Sequence, residues 1–244
     1  MKILLAFSFL FMLDAGICQS PVGNENADGF KVLVFSKTAG YRHQSIPDGH
    51  KALRALGAQN GFEVTSTEDA ALFTEETLAQ YAVVVFLNTT LDVLGDAQQT
   101  AFENYIRSGG GYVGIHAAAD TEYDWPWYGK LAGAYFDSHP KIQEAAVHVK
   151  NHGHPACKGI PVDWKRTDEW YNFKSLNDGV KVLMMLDETT YDGGKNGTYH
   201  PIAWYHEYDG GRAFYTGMGH TSESYSEPFF LQHVLGGILY AAGK

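Results

Sequence analysis

Cysteine is nearly absent from this chain of 244 residues, which has two, Cys18 and Cys157. Cys18 falls in an N-terminal stretch that reads as a cleaved signal, so no intramolecular disulfide is expected. The fold then has to rest on its hydrophobic core, which a chain of this length can supply. Basic residues are also short. Against 28 Asp and Glu there are 18 Lys and Arg, leaving a formal net charge of −10. That deficit argues against nucleic acid or an anionic membrane surface as a partner, because both reward cations. Beyond the N-terminus no apolar run approaches the roughly 18 residues of a membrane span. A phosphate-cradling loop is missing too. Gly109-Gly110-Gly111 precedes a strand rather than following one, and Gly193 to Gly197 has no helix after it. No His-Glu-x-x-His spacing spells out a zinc site, and His152-Gly153-His154 lies in a segment that reads as a loop, with both histidines structural or surface.

What is present begins with a signal-like start. Lys2 supplies the charge, Ile3 to Leu13 the apolar run, and Ala15 to Ser20 small residues for cleavage. Residues 1–20 therefore read as a signal peptide and 21–29 as a flexible polar leader. The expected location is periplasmic or secreted. Acylation at Cys18 is the rival, and bulky Ile17 before it fits that poorly. Cleavage removes Lys2 and Asp14 together, so the mature net charge stays at −10. The remaining residues, 30–244, carry no repeat and no linker, and are expected to form one domain. The hydrophobic share of 45% with 19% charged is that of a globular protein.

Periodicity gives the fold class. Apolar runs at Phe30–Ser36, Tyr81–Leu87 and Tyr112–Ile115 read as strands buried on both faces of a parallel sheet. Between them, Pro47 opens a helix with Ala52, Leu53 and Leu56 inward. Residues 61–66 form a strand, Thr74 caps a short helix, and Asp96 caps a helix to Arg107. This rhythm predicts an α/β, doubly wound, mostly parallel sheet with helices on both faces. In the second half, Asp124–Ala132 holds a short helix, and Ile142–Lys150 and Val180–Leu186 read as strands. Ile202–Tyr208 and Arg212–Thr216 make a hairpin, and Glu227–Ala241 a closing helix.

The stretch that organises the chemistry is Gly109 to Asp120. A short strand ends in Gly114-Ile115-His116-Ala117-Ala118, a pattern like the strand-turn-helix elbow that thrusts one side chain above a sheet. Here that residue is His116, where a hydrolase carries Ser or Cys. Imidazole serves as a base, an acid or a metal ligand. Ligands of doubly wound sheets bind beyond the carboxyl ends of the strands. His43, Asn88 and His116 follow such ends and are expected to share one mouth. Asp120 lies four residues after His116, on the same side of the expected helix. His220 follows the last strand through Gly219, which lets the backbone turn tightly. His139, before Pro140, sits in an extended turn. Glu169, ahead of Asp168 as a candidate, is a carboxylate beside Trp170 and Tyr171. Trp125 and Trp127 are candidate stacking walls for a sugar ring. His50, His148, His152, His154, His200, His206 and His233 read as structural or surface residues.

Several segments together resemble the ThuA-like, trehalose-utilisation family. They are Gly40–Ile46, Gly109–Asp120, Ser138-His139-Pro140, Asp168–Tyr171, Pro201–Trp204 and Gly211–His220, in the family's order from about residue 30 to the C-terminus. The resemblance implies a flavodoxin-like fold related to class I glutamine amidotransferases, and a role in sugar catabolism. Those amidotransferases carry Cys at the elbow; His116 in its place excludes a glutaminase. His220 falls roughly where they place their catalytic histidine.

The main expectation is an enzyme acting on a disaccharide of the trehalose type or its 3-oxo derivative, made by a partner sugar dehydrogenase. His116, His220 and Glu169 would carry acid–base catalysis, with His43, Asp120, His139, Trp125 and Trp127 binding substrate. The spacing commits to no cofactor. A second expectation is a divalent-metal hydrolase, with zinc held among His116, His139, His220 and Glu169. A third is a non-catalytic carbohydrate-binding or sensing module. A homo-oligomer is left open.

Overall fold

The computed structural model describes residues 29–244. The expected signal peptide, the Cys18 anchor and all but the last residue of the leader lie outside the described residues. Strand β1 (Lys31–Phe35) runs into helix α1 (Ile46–Asn60), with Pro47 in its first turn and Gly61 closing it in the left-handed conformation, φ +75°. Strand β2 (Glu63–Thr67) follows. Helix α2 (Glu75–Leu78) is capped by the Thr74 hydroxyl, which accepts from the Thr77 amide. Then come β3 (Val83–Leu87), α3 (Asp96–Arg107) and β4 (Gly111–Ile115). The residue at the α3 cap is Gly95 rather than Asp96, and the Gln98 side chain accepts from its amide.

All residues of β3 and β4 are buried, and all but the first of β1. Edge strand β2 is polar and half-exposed. The parallel order is β2-β1-β3-β4. Because β1 to β2 steps one way and β3 to β4 the other, right-handed crossovers put α1 and α3 on opposite faces. This is the doubly wound α/β arrangement expected.

The sheet then continues. Strands β10 (Pro201–Tyr208) and β11 (Gly211–Thr216) form a hairpin turning at Asp209 and Gly210, both at positive φ as such two-residue turns require. Strand β11 pairs parallel to β4, so the hairpin joins the wound half to an antiparallel run. That run contains β9 (Lys181–Leu186), β6 (Gln143–Val149) and β7 (Asp163–Asp168), in the order β11-β10-β9-β6-β7. Strands β5 (Tyr135–Ser138) and β8 (Asn172–Lys174) make a separate two-stranded sheet. Helix α4 (Pro126–Ala132) lies between the halves in sequence, and α5 (Pro228–Ala241) packs on α1. Among the described residues, no helix is long and apolar enough to cross a membrane.

One local expectation changes. The elbow enters a single 3₁₀ turn, His116–Ala119, not an α-helix. The Thr121 hydroxyl donates to the Ala117 carbonyl, and Pro126 disfavours helical backbone at the residue before it.

Candidate active site

The carboxyl ends of the parallel strands deliver the first three histidines. His43 stands in the loop after β1, His116 directly after β4, and His220 four residues after β11. The antiparallel half supplies the rest: Glu169 directly follows β7 and His139 directly follows β5. His116 has φ +49°, a left-handed backbone that few non-glycine residues adopt, so the elbow reading holds geometrically. Its carbonyl accepts from the Tyr215 hydroxyl at 2.7 Å, which helps fix the turn. Asn88, also at positive φ, is fully buried beneath the mouth. Its amide nitrogen lies 3.2 Å from the Ser45 hydroxyl and 3.3 Å from the Gly219 carbonyl.

The imidazoles converge. His116 Nδ1 lies 2.9 Å from the Gly217 carbonyl oxygen. A carbonyl can only accept, so Nδ1 carries the proton and Nε2 of the neutral ring is a bare lone pair. That Nε2 is 3.2 Å from His220 Nδ1 and 3.4 Å from Glu169 Oε2, while His220 Nδ1 is 3.1 Å from the same Oε2. A proton on His220 Nδ1 serves one of the two acceptors that face it; a cation between them serves both. His43 adds a third imidazole, its ring centre 5.0 Å from those of His116 and His220. One ligand atom from each of His43, His116, Glu169 and His220 lies within 4.8 Å of all the others.

The electrostatics fit a cation. Burial, and then any positive charge on the His116 and His220 rings beside it, pushes the His43 imidazole down to about 2, so it stays a neutral donor. Burial opposes a charged Glu169, but positive charge at the facing His116 and His220 rings, when they are protonated, outweighs it and holds the carboxyl well below the usual range. Among the described residues, His43 Nδ1 is buried with no hydrogen-bond partner. A backbone carbonyl holding the far nitrogen of His116 is the usual support for a metal-binding imidazole. Three imidazoles and one carboxylate suit zinc or another first-row divalent ion. These residues fit such an ion, with His43 in the place the sequence pattern gave to His139.

Above the cluster lies a cavity of about 460 Å³, lined by Tyr41, His43, Asp120, Phe136, His139, Glu169, Tyr171 and His220. His139 is exposed on the rim, its Nδ1 3.0 Å from Glu169 Oε1. Asp120 receives the Tyr123 hydroxyl on Oδ1 at 2.5 Å, and burial pushes its carboxyl upward. Thus His43, His116, His139, Glu169, His220 and Asp120 are brought together around one mouth.

Trp125 and Trp127 are not among them. They stack on each other at 5.1 Å against Phe102, with their indole N–H groups donating to Glu103 and Asp209. The turn at Asp209 lies at the opposite end of the sheet from the cavity, because β11 starts there. Aromatic walls come instead from Tyr171, Phe136 and Tyr41, which the sequence pattern did not single out. Tyr171 is packed 4.0 Å from the His116 ring and 4.3 Å from Phe136. Its place next to Glu169 in sequence was the available signal. Among the other histidines, His200, His206 and His233 are buried against backbone carbonyls, and His148 pairs with Asp163 and Asp187 at the surface.

A family model described as ThuA, trehalose utilisation, matches residues 31–241. The chain belongs to the ThuA family. A ThuA-like protein of Bacteroides uniformis, 26% identical, superposes with a TM-score of 0.76 over 90% of this chain and 94% of its own. A second, from Parabacteroides merdae, is 20% identical, with a TM-score of 0.74 over 88% and 91%. A protein described as part of a GMP synthase, from Thermoplasma acidophilum, shares the fold at 13% identity, with a TM-score of 0.55 over 89% and 96%. No curated protein matches the sequence. This ThuA-family chain thus shares its fold with the GMP synthase protein, and carries His116 at the elbow.

Proposed function

We propose that this ThuA-family protein is a divalent-metal-dependent enzyme of sugar catabolism, acting on a disaccharide or its 3-oxo derivative. The observation that carries the reading is the convergence of His43, His116, Glu169 and His220 within 4.8 Å, with the His116 proton committed to the Gly217 carbonyl. The substrate class rests on the family's description, trehalose utilisation, and on the aromatic walls of the cavity. A bound divalent ion supplies polarisation of a substrate oxygen. His116, His220 and Glu169, turned on one another, hold that ion rather than move protons.

Proton transfer falls to Asp120. It lines the cavity, stands outside the cluster, keeps one oxygen on Tyr123, and has its carboxyl raised by burial. A raised carboxyl suits a group that takes a proton from carbon next to a carbonyl and returns it to oxygen. That favours isomerisation or elimination on a 3-oxo sugar over direct glycoside hydrolysis. Tyr171 and Phe136 offer faces to the ring. An exported location and a partner sugar dehydrogenase complete the proposal.

The test starts with protein purified without a histidine tag. Elemental analysis is expected to find one divalent ion per chain, lost in His116→Ala. NMR of trehalose, maltose and their 3-oxo derivatives is expected to show conversion of a 3-oxo sugar. Asp120→Asn abolishes that conversion and keeps the metal. Conversion by metal-free wild-type protein would return the chemistry to His116, His220 and Glu169 as acid–base groups. Saturable sugar binding without product, in wild type and His116→Ala alike, would make the protein a binding module.

A further inference from the structure

Beneath the cluster lies a carboxylate that touches neither the cavity nor the four converging donors. Asp168 is fully buried at the end of β7. Its Oδ1 accepts from the Glu169 amide at 3.0 Å and the His220 amide at 3.1 Å. Its Oδ2 accepts from the Gly219 amide at 2.8 Å and from Arg166 Nη1 at 2.6 Å. One side chain therefore grips the backbone of two cluster residues that come from opposite halves of the sheet. The Gly219 peptide is held from its other side too, since its carbonyl accepts from the Tyr225 hydroxyl at 3.0 Å.

Arg166 holds this carboxylate still. Its Nε donates to Glu227 at 3.0 Å and its Nη2 to the Ser224 hydroxyl at 2.8 Å. The guanidinium lies about 5 Å from the ring centres of Trp164 and Phe230. A buried anion without such a partner is strongly destabilising. The chain Glu227–Arg166–Asp168 thus runs from the start of α5 to the amides of Glu169 and His220.

We propose that Asp168 is the positioning residue of the metal cluster, fixing the separation of Glu169 and His220 so that both close on one cation. The proposal rests on the metal reading above. Four hydrogen bonds to two carboxylate oxygens leave neither Glu169 nor His220 free to drift. An asparagine has the same shape, yet its NH₂ must face two N–H donors: at Oδ2 it gives up the Gly219 amide and Arg166, and at Oδ1 it gives up the Glu169 and His220 amides together. Loss of an outer support of this kind weakens metal binding by about 10- to 100-fold.

The experiment is a cobalt(II) titration of metal-free protein, followed by visible absorption. Asp168→Asn is expected to bind cobalt about 10- to 100-fold more weakly, with altered absorption bands. Val147→Ala, a core truncation on β6, controls for lost stability: it lowers the melting temperature and keeps cobalt affinity and spectrum. Wild-type affinity and spectrum in Asp168→Asn overturn the proposal. If the wild type itself takes up no cobalt, the metal reading falls, and positioning is read from ¹H–¹⁵N correlations of the imidazoles. The His220 ring signals are then expected to move in Asp168→Asn and not in Val147→Ala; unmoved signals overturn the proposal. Should Asp168→Asn fail to fold, Arg166→Lys, which keeps the charge but loses the fork, is carried through the same measurements with the same expected losses.

Discussion

His116 combines a left-handed backbone with a ring whose proton is already spent on a carbonyl, and both facts point its lone pair upward. The neighbour that covers this ring, Tyr171, is the residue on which sugar recognition would turn under the function proposed above. Tyr171 lines the cavity, whereas the tryptophans nearest in sequence to the elbow serve the core. Tyr171→Leu is expected to weaken saccharide binding about fivefold, in line with about 1 kcal/mol for one aromatic contact. Trp127→Ala is expected to leave affinity unchanged and to lower stability. Calorimetric titration of both variants decides; the opposite pattern restores the tryptophans as the stacking wall.

At the scale of elements, the connection from β11 to α5 is tightly constrained. Gly219 has φ +109°, and a Cβ there would stand 3.0 Å from Ile115 and Phe230 side chains and 3.1 Å from the Tyr225 hydroxyl. Gly219→Ala is expected to cost about 1–3 kcal/mol, measured by urea unfolding; an unchanged midpoint would refute the strain. Elements whose apolar residues recur at the helix or strand period were legible in the sequence, as β1, β3, β4, α3 and α5 show. Strand β7 was not. It alternates properly, but its inward residues are Trp164, Arg166 and Asp168, so charge hides the period. Strands β5 and β8 are three or four residues long and exist by pairing with each other. The same division runs through the site. Histidines at strand ends could be placed by the rule for open sheets, and His43 was among them. Its role as a fourth donor could not be, because the antiparallel half that brings Glu169 to it had no visible β7.

For the whole molecule, buried histidines make acid the sensitive direction. His233 is fully buried on α5, with Nδ1 donating to the Ala156 carbonyl. Burial pushes its imidazole down to about 4, with Arg166 and His154 pushing the same way and the Ala156 hydrogen bond opposing. The unfolded chain takes up this proton near 6.5. Between 6.5 and about 4 only the unfolded form is protonated, so stability falls as pH falls; above 6.5 the ring contributes nothing. One such ring amounts to about 3 kcal/mol over that window. His233→Gln is expected to flatten the decline in urea midpoint between pH 7 and pH 4.5. An equally steep decline assigns it to other groups.

Strand β11 ends at Thr216 and sits in the middle of the nine-stranded sheet, between β4 and β10. During synthesis, β4 therefore emerges as a bare, wholly apolar edge and waits for about a hundred residues before its neighbour exists. An unpaired edge of that kind is a template for joining other chains. The half-made protein is thus its most aggregation-prone form. One late segment both covers that edge and delivers His220, so a chain that has escaped aggregation has also just brought its four converging side chains together.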